Sequence, residues 1–271
     1  MNWLRAYSEP PSPGIEHAGD TGRLMGKQDT DDTAATRYFH DNTLQVATDK
    51  AALVVFDMNG LIIDDESVQF ESVNRALADL RISISETYWI ENCVGKRADE
   101  YFSAILKQNE KKYSPSEVSI LVQLKNKLYH TLILKYIHEL SRPGVQDFIA
   151  YLSEKSSKPL ALCTSAHPEE IETILGESGL GLKDRFAFVV SGRDVKKSKP
   201  DPEIYIHLAR LAGIVPSDCL VFEDSGLGVQ AAFRAGMPCI AVPNHFTEKQ
   251  DFSHAMFIID SLLRNAHIYC T

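Results

Sequence analysis

Nothing in the 271-residue chain resembles the run of about 20 apolar residues that a membrane-spanning helix requires. The N-terminus lacks the apolar core of a secretory signal, and its many acids do not fit a mitochondrial presequence. A cytoplasmic protein with no membrane partner is therefore expected. Basic charge is short as well. With 28 Lys and Arg against 37 Asp and Glu, the formal charge is -9, which argues against nucleic acid as a partner. Cysteine is scarce: the five are Cys93, Cys163, Cys219, Cys239 and Cys270. The number is odd and no C-x-x-C occurs, so free thiols in a reducing compartment fit better than disulfides or zinc. No internal repeat is visible. What remains is a soluble globular composition, 44% hydrophobic and 24% charged, long enough for one or two domains with a substantial core.

Residues 1 to about 32 are rich in Pro, Ser, Gly and Asp and have no sustained apolar period. A short helix is expected over about 34–47, so residues 1–48 read as a disordered or weakly helical extension. The apolar run 51–56 comes next and reads as a strand buried on both faces. It stops at a carboxylate, Asp57, with Gly60 close behind. From Glu66 the period changes. Phe70, Val73, Leu77 and Leu80 form one helical stripe, and a second helix starts at Ser114-Pro115 and runs through Leu121, Leu124, Leu128, Leu132 and Ile137. About 75 residues of helix before the next strand far exceed what a crossover needs, and predict an inserted helical subdomain. After Arg142-Pro143-Gly144 strand-like runs at 160–163, 186–190, 220–222, 240–242 and 257–259 alternate with helical patterns at about 168–178, 202–212 and 227–235. That alternation predicts an α/β fold with a parallel sheet covered by helices on both faces.

The strand ends carry the chemistry. A charged Asp57 ending a buried strand costs several kcal/mol unless it is paired or bound to metal, and open α/β sheets bind ligands at this edge. The run 160–163 ends at Thr164-Ser165, either hydroxyl donors beside a helix N-terminus or, for Thr164, the cap of that helix. Lys199 precedes Pro200 and is held in extended or turn backbone, where it could neutralise a phosphate or a nucleophilic carboxylate. The run ending at Phe222 meets Glu223-Asp224, adjacent carboxylates that repel unless a cation such as Mg2+ joins them. Each feature has a plain structural reading as a solvated loop charge or a cap. All four at strand ends supply a nucleophile, a hydroxyl, a Lys and a divalent-metal site. That set suits attack by Asp57 on phosphorus.

The chain resembles the haloacid dehalogenase superfamily, in its phosphatase and β-phosphoglucomutase-like group. The resemblance covers about residues 51–260. It rests on Asp57-Met58-Asn59-Gly60 for the D-x-D-G motif, Thr164 for the second, Lys199-Pro200-Asp201-Pro202 for the third and Glu223-Asp224 within VFEDSGLGVQAAFRAGM for the fourth. It implies a Rossmann-like core over 49–65 and 143–271 and a helical cap over 66–142. It implies catalytic roles at Asp57, Asn59, Thr164 and Lys199, with Mg2+ held by Asp57, the Asn59 backbone carbonyl, Glu223 and Asp224. A small phosphorylated metabolite would contact Thr164, Ser165, Lys199, Glu66 and the cap residues Lys96 and Arg97. The protein is expected to act as a monomer or weak homo-oligomer.

One position departs from the pattern. The family's second Asp, its proton donor and acceptor, is Asn59 here, and an amide does not exchange a proton near neutral pH. Loss of a general acid/base typically slows a reaction by about 10² to 10⁴. The expectation is a slow phosphohydrolase working through an aspartyl phosphate, with the proton supplied by Asp64, Asp65, Glu66 or a cap residue. The alternatives are a phosphate-binding or regulatory protein without catalysis, and a β-phosphoglucomutase-like phosphotransferase, which would need the missing Asp even more.

Overall fold

The computed structural model describes residues 42–154 and 158–262. Most of the expected N-terminal extension lies outside that range. Where it is described, the chain is helical: α1, Asn42–Lys50, lies later than the helix expected over about 34–47.

Six strands form one parallel sheet: β1 (Leu53–Phe56), β2 (Leu160–Cys163), β3 (Phe188–Val190), β4 (Cys219–Glu223), β5 (Cys239–Ala241) and β6 (Phe257–Ile258), in the order β3-β2-β1-β4-β5-β6. The four residues of β1 are fully buried. Alternation sends Val54 and Phe56 to one face and Leu53 and Val55 to the other, into two separate cores. Phe56 stacks on Phe222 with ring centroids 5.3 Å apart and meets Phe148 and Phe186 edge-on. Each such side chain contributes about 1.5–3 kcal/mol on burial, so the middle of the sheet is a rigid platform for the polar residues at its strand ends. The helices on the faces are α7 (Val145–Glu154), α8 (Pro168–Leu175), α9 (Glu203–Ala212) and α10 (Gly226–Ala235).

Five helices stand between β1 and α7: α2 (Glu66–Leu77), α3 (Glu86–Asn92), α4 (Ala98–Gln108), α5 (Pro115–Ile133) and the one-turn α6 (Ile137–Leu140). They have their own core, built on Val73, Leu77, Trp89, Phe102 and Ile105. The outgoing and returning chains pair at one place: Asp64 N–H donates to the Leu140 carbonyl at 2.7 Å and Arg142 N–H to that of Ile62 at 2.9 Å. In α5 Ser114 caps the first turn and Glu117 reaches back, a full capping box with Pro115 at the start. Its buried side is Val118, Leu121, Lys125, Tyr129 and Ile133. Of the stripe read from the sequence, Leu121 is buried, Leu128 and Leu132 are half-buried against the cores, Leu124 is exposed, and the helix ends before Ile137. Lys125 and Tyr129 hold the buried register because a polar cavity between α5 and the sheet receives them.

The sheet order reverses at β1, since β2 lies on one side of it and β4 on the other. Such a switch point leaves a crevice outside the carboxyl ends of the two strands. The register sets Phe56 beside Leu162 and Phe222. Asp57, Thr164, Glu223 and Asp224 consequently leave the sheet at one edge.

Candidate active site

That edge opens into a cavity of ≈ 1420 Å³ between the sheet and the inserted helices. Asp57, Asn59, Thr164, Ser165 and Asp224 line it from the strand ends, Lys199 from the loop between β3 and α9 and not from a strand end as expected, Glu66 from α2, and Lys96 and Arg97 from the loop before α4. Glu223 is fully buried and does not reach the cavity.

Lys199 Nζ lies 2.5 Å from Asp57 Oδ1 and 2.5 Å from Glu223 Oε1, and also donates to the Cys163 carbonyl at 3.3 Å. Burial works against its charge, but Asp57 and Glu223 outweigh it and hold the ammonium protonated, above its ordinary value. Burial raises the Asp57 carboxyl to about 7, partly offset by Lys199 and reinforced by Glu223. Burial, then Glu223 and Asp57, also drives Asp224 well above the ordinary carboxylate range. Asp57, Glu223 and Asp224 each offer an oxygen within 4.8 Å of the others'. A converging buried set of acids with oxygen donors fits a hard divalent cation such as Mg2+.

Glu223, expected as a metal ligand and within reach of the same ion, is also held by hydrogen bonds. Its Oε1 accepts from Lys199 and, at 2.7 Å, from the Tyr205 hydroxyl, while Oε2 accepts from the Ser225 hydroxyl at 3.1 Å. Glu223 thus positions Lys199 from beneath, and Asp57 and Asp224 are the carboxylates that line the cavity. Gly228 makes room for this: a Cβ there would fall 2.0 Å from the Glu223 carboxyl.

Thr164 does not cap the helix after it. The cap of α8 is His167, whose ring accepts from Glu169 N–H at 3.4 Å. The Thr164 hydroxyl instead accepts from Ala166 N–H at 3.1 Å and donates to Asn59 Oδ1 at 3.4 Å. On the far wall Lys96 is exposed and Arg97 is paired with Asp99 at 3.3 Å. Glu66 is buried and accepts from the Trp89 indole N–H at 2.9 Å. Burial, with Asp65 adding to it, raises the Glu66 carboxyl to about 8.

Around Asn59 the structure shows a network the sequence did not. The amide nitrogen donates to Asp65 Oδ2 at 2.8 Å and to Glu170 Oε1 at 2.9 Å. Gln69 Nε2 donates to the same two oxygens, at 2.9 and 3.0 Å. The Tyr129 hydroxyl donates to Asp65 at 2.5 Å, and Lys125 pairs with Glu170 at 3.5 Å. Burial raises Asp65 to about 6, with Glu170 adding to the rise. Asn59 thus has no hydrogen left for a ligand and presents only its carbonyl oxygen. One signal of the network was present: polar Glu66, Gln69 and Ser72 recur on the side of α2 that also carries Val73 and Leu77, and all five are buried.

Comparison with known proteins agrees with this geometry. A family profile described as haloacid dehalogenase-like hydrolase matches residues 54–242. The phosphorylated carbohydrates phosphatase of Thermotoga maritima is 32% identical over 184 residues, which span 68% of this chain and 81% of that one. The β-phosphoglucomutase of Bacillus subtilis is 29% identical over 191 residues, 70% of this chain and 82% of the relative. Among solved structures, a mutant of CbbY from Rhodobacter sphaeroides in complex with xylulose-1,5-bisphosphate superposes with a TM-score of 0.72 at 23% identity, covering 79% of this chain and 95% of that one. With the profile running from β1 through β5 and the strand ends gathered at one cavity, the chain belongs to the haloacid dehalogenase-like hydrolase family.

Proposed function

We propose that the protein is a Mg2+-dependent phosphohydrolase acting on a small phosphorylated metabolite through an aspartyl phosphate on Asp57. The observation that carries this is the convergence of Asp57, Thr164, Lys199 and Asp224 on one wall of a cavity that the inserted helices roof. The names of the similar phosphatase and mutase fit a sugar phosphate as the substrate class. Mg2+ would be held by Asp57 and Asp224 with the Asn59 backbone carbonyl, and would supply positive charge to the phosphoryl oxygens. Lys199 and the Thr164 hydroxyl would turn hydrogens from Asp57 and Asn59 to those oxygens as Asp57 forms its bond to phosphorus and the bond to the leaving oxygen breaks. Water then attacks phosphorus, the bond from phosphorus to Asp57 breaks to return its carboxylate, phosphate leaves carrying the water oxygen, and the water's proton goes to the group that had protonated the leaving oxygen.

The departing oxygen needs a proton that Asn59 cannot give. Asp65 does not line the cavity, and Glu170 is held as an acceptor by Asn59, Gln69 and Lys125. Glu66 faces the cavity with one oxygen fixed by Trp89, and we assign the donation to it. Its raised range keeps it protonated at neutral pH.

Glu66→Gln tests that assignment and should be slower but more stable. Phosphate release is expected to fall by about 10². Stability moves the other way, because the folded state of the wild type keeps a proton that the unfolded chain loses above 4.5, until the folded group also ionises near 8. The wild type therefore loses stability as pH rises across that window, by roughly 1.4 kcal/mol per pH unit from this group at most. Gln has nothing to lose there. Thermal unfolding of the metal-free proteins at about pH 5 and about pH 8 should show the variant gaining on the wild type. Parallel pH curves would mean that Glu66 titrates no differently in the fold.

The function itself is tested on a panel of phosphorylated sugars and small metabolites. At least one is expected to release phosphate, and the release should stop on chelation of Mg2+. If none reacts while a phosphate ligand still binds, the protein is a phosphate binder, a reading that the engaged Asn59 amide favours. Exchange of label between two sugar positions without net release would identify a mutase.

A further inference from the structure

Asn244 lies just beyond β5, outside every motif read from the sequence, and only 6% of it is exposed. Its amide nitrogen donates in two directions, to Asp224 Oδ2 at 2.8 Å and to the Gly60 carbonyl at 3.2 Å. The Phe246 N–H orients its side chain, whereas Thr247 holds only its backbone. The Asn244 side-chain oxygen accepts from Phe246 N–H at 2.8 Å, and its own N–H donates to the Thr247 hydroxyl at 3.0 Å. Asp224 comes directly after β4 and Gly60 directly after the Asp57–Asn59 turn of β1, so one amide ties together the two acidic loops that leave neighbouring strands. The approach is close: a Cβ on Gly60 would fall 2.1 Å from Asp224 Oδ2 and 2.8 Å from the Asn244 nitrogen, and Gly60 has a φ of +83°. Only glycine admits this arrangement.

We infer that Asn244 is a positioning residue for the divalent-metal site, acting through Asp224. The inference rests on the proposal that Asp57 and Asp224 hold Mg2+. By holding one oxygen of Asp224 and the carbonyl beside Asn59, Asn244 fixes the spacing between the two loops that would share the ion. Groups of this kind, which touch a ligand residue and not the ion, commonly change metal affinity by about 10- to 100-fold.

The test is Mn2+ binding to the substrate-free full chain, followed by electron paramagnetic resonance of the free ion. Asn244→Ala is expected to weaken Mn2+ binding by about tenfold or more, with Asn244→Ser as the replacement if the alanine variant does not fold by circular dichroism. Thr247→Val loosens the same turn without touching the amide and is expected to hold affinity within about twofold of the wild type. Equal affinity in wild type and Asn244 variants overturns the inference alone. An equal loss in the Thr247 and Asn244 variants also overturns it, because the turn and not the amide would then be responsible. A wild type that binds no Mn2+ overturns the metal reading and this inference together.

Discussion

Asp57→Asn is expected to abolish phosphate release, by on the order of 10⁵-fold or more. The size follows from the role. In the proposed reaction a carboxylate oxygen of Asp57 forms the bond to phosphorus, and an amide oxygen in its place cannot attack at a useful rate. The same substitution also takes one of the two carboxylates from the proposed metal site. A loss this large could be mistaken for unfolding, but the electrostatics argue otherwise. Burial already raises Asp57 to about 7 despite Lys199 beside it, so the site does not favour the bare charge. Asn fills the same space and can still accept from Lys199, which keeps Glu223 as its other partner. The metal-free variant should therefore melt at or above the wild-type temperature at pH 8, while turnover vanishes. Rapid acid quench during turnover should trap acid-stable phosphate on Asp57 of the wild type and none on the variant. Activity within about tenfold of wild type would remove Asp57 from the nucleophile's role.

The sheet was legible because its strands are short, wholly apolar and end abruptly in polar residues. Val54-Val55-Phe56 before Asp57 can hardly be anything but a buried strand, and β2 matches the expected run over 160–163. The carboxylates at the strand ends were legible for the same reason, since a charge beside an apolar run demands an explanation, whereas Lys199 stands in the polar loop beyond β3. The roof of the cavity was not. Periodicity counts apolar residues, so it found Leu121, Leu128 and Leu132 on α5 but took exposed Leu124 with them and passed over Lys125 and Tyr129, which are buried. Those two are buried because their partners, Glu170 and Asp65, come from α8 and from the loop before α2. Pairing across so many residues leaves no trace in a local pattern. Asn244 escaped for a related reason: an Asn in a loop after a strand is ordinary, and only its two acceptors, far away in the chain, make it specific. Thr164 was open to two readings, cap or ligand, because both place a hydroxyl just before a helix, and the choice fell to His167 three residues later.

The largest gain in activity is expected from exchanging an acid and an amide between two positions. Asn59→Asp alone restores the family's motif but sets a third carboxylate against Asp65 and Glu170, which now receive both hydrogens of the Asn59 amide. Two donors vanish and like charges converge in a buried place, so the single variant is expected to lose about 2–4 kcal/mol of stability. Its new acid would sit among groups that no longer match it, and its rate gain should be small. Asn59→Asp with Glu170→Gln keeps the local charge unchanged and reverses the donor and acceptor roles. The amide introduced on α8 can then donate to the carboxylate introduced after β1, and Gln69 still donates to Asp65. The double variant is expected to recover at least half of the lost stability and to release phosphate about 10²-fold or more faster than the wild type. Chemical denaturation and phosphate release on the four members of the cycle give the coupling between the two positions, which should exceed about 1 kcal/mol. If Asn59→Asp by itself is as stable and as fast as the pair, the two carboxylates do not hold Asn59 in place of an acid. If neither variant gains rate, proton transfer is not what limits this site. Between those outcomes lies the one the geometry favours: a cavity wall built around an amide, in which an acid cannot be placed at position 59 until one carboxylate gives way.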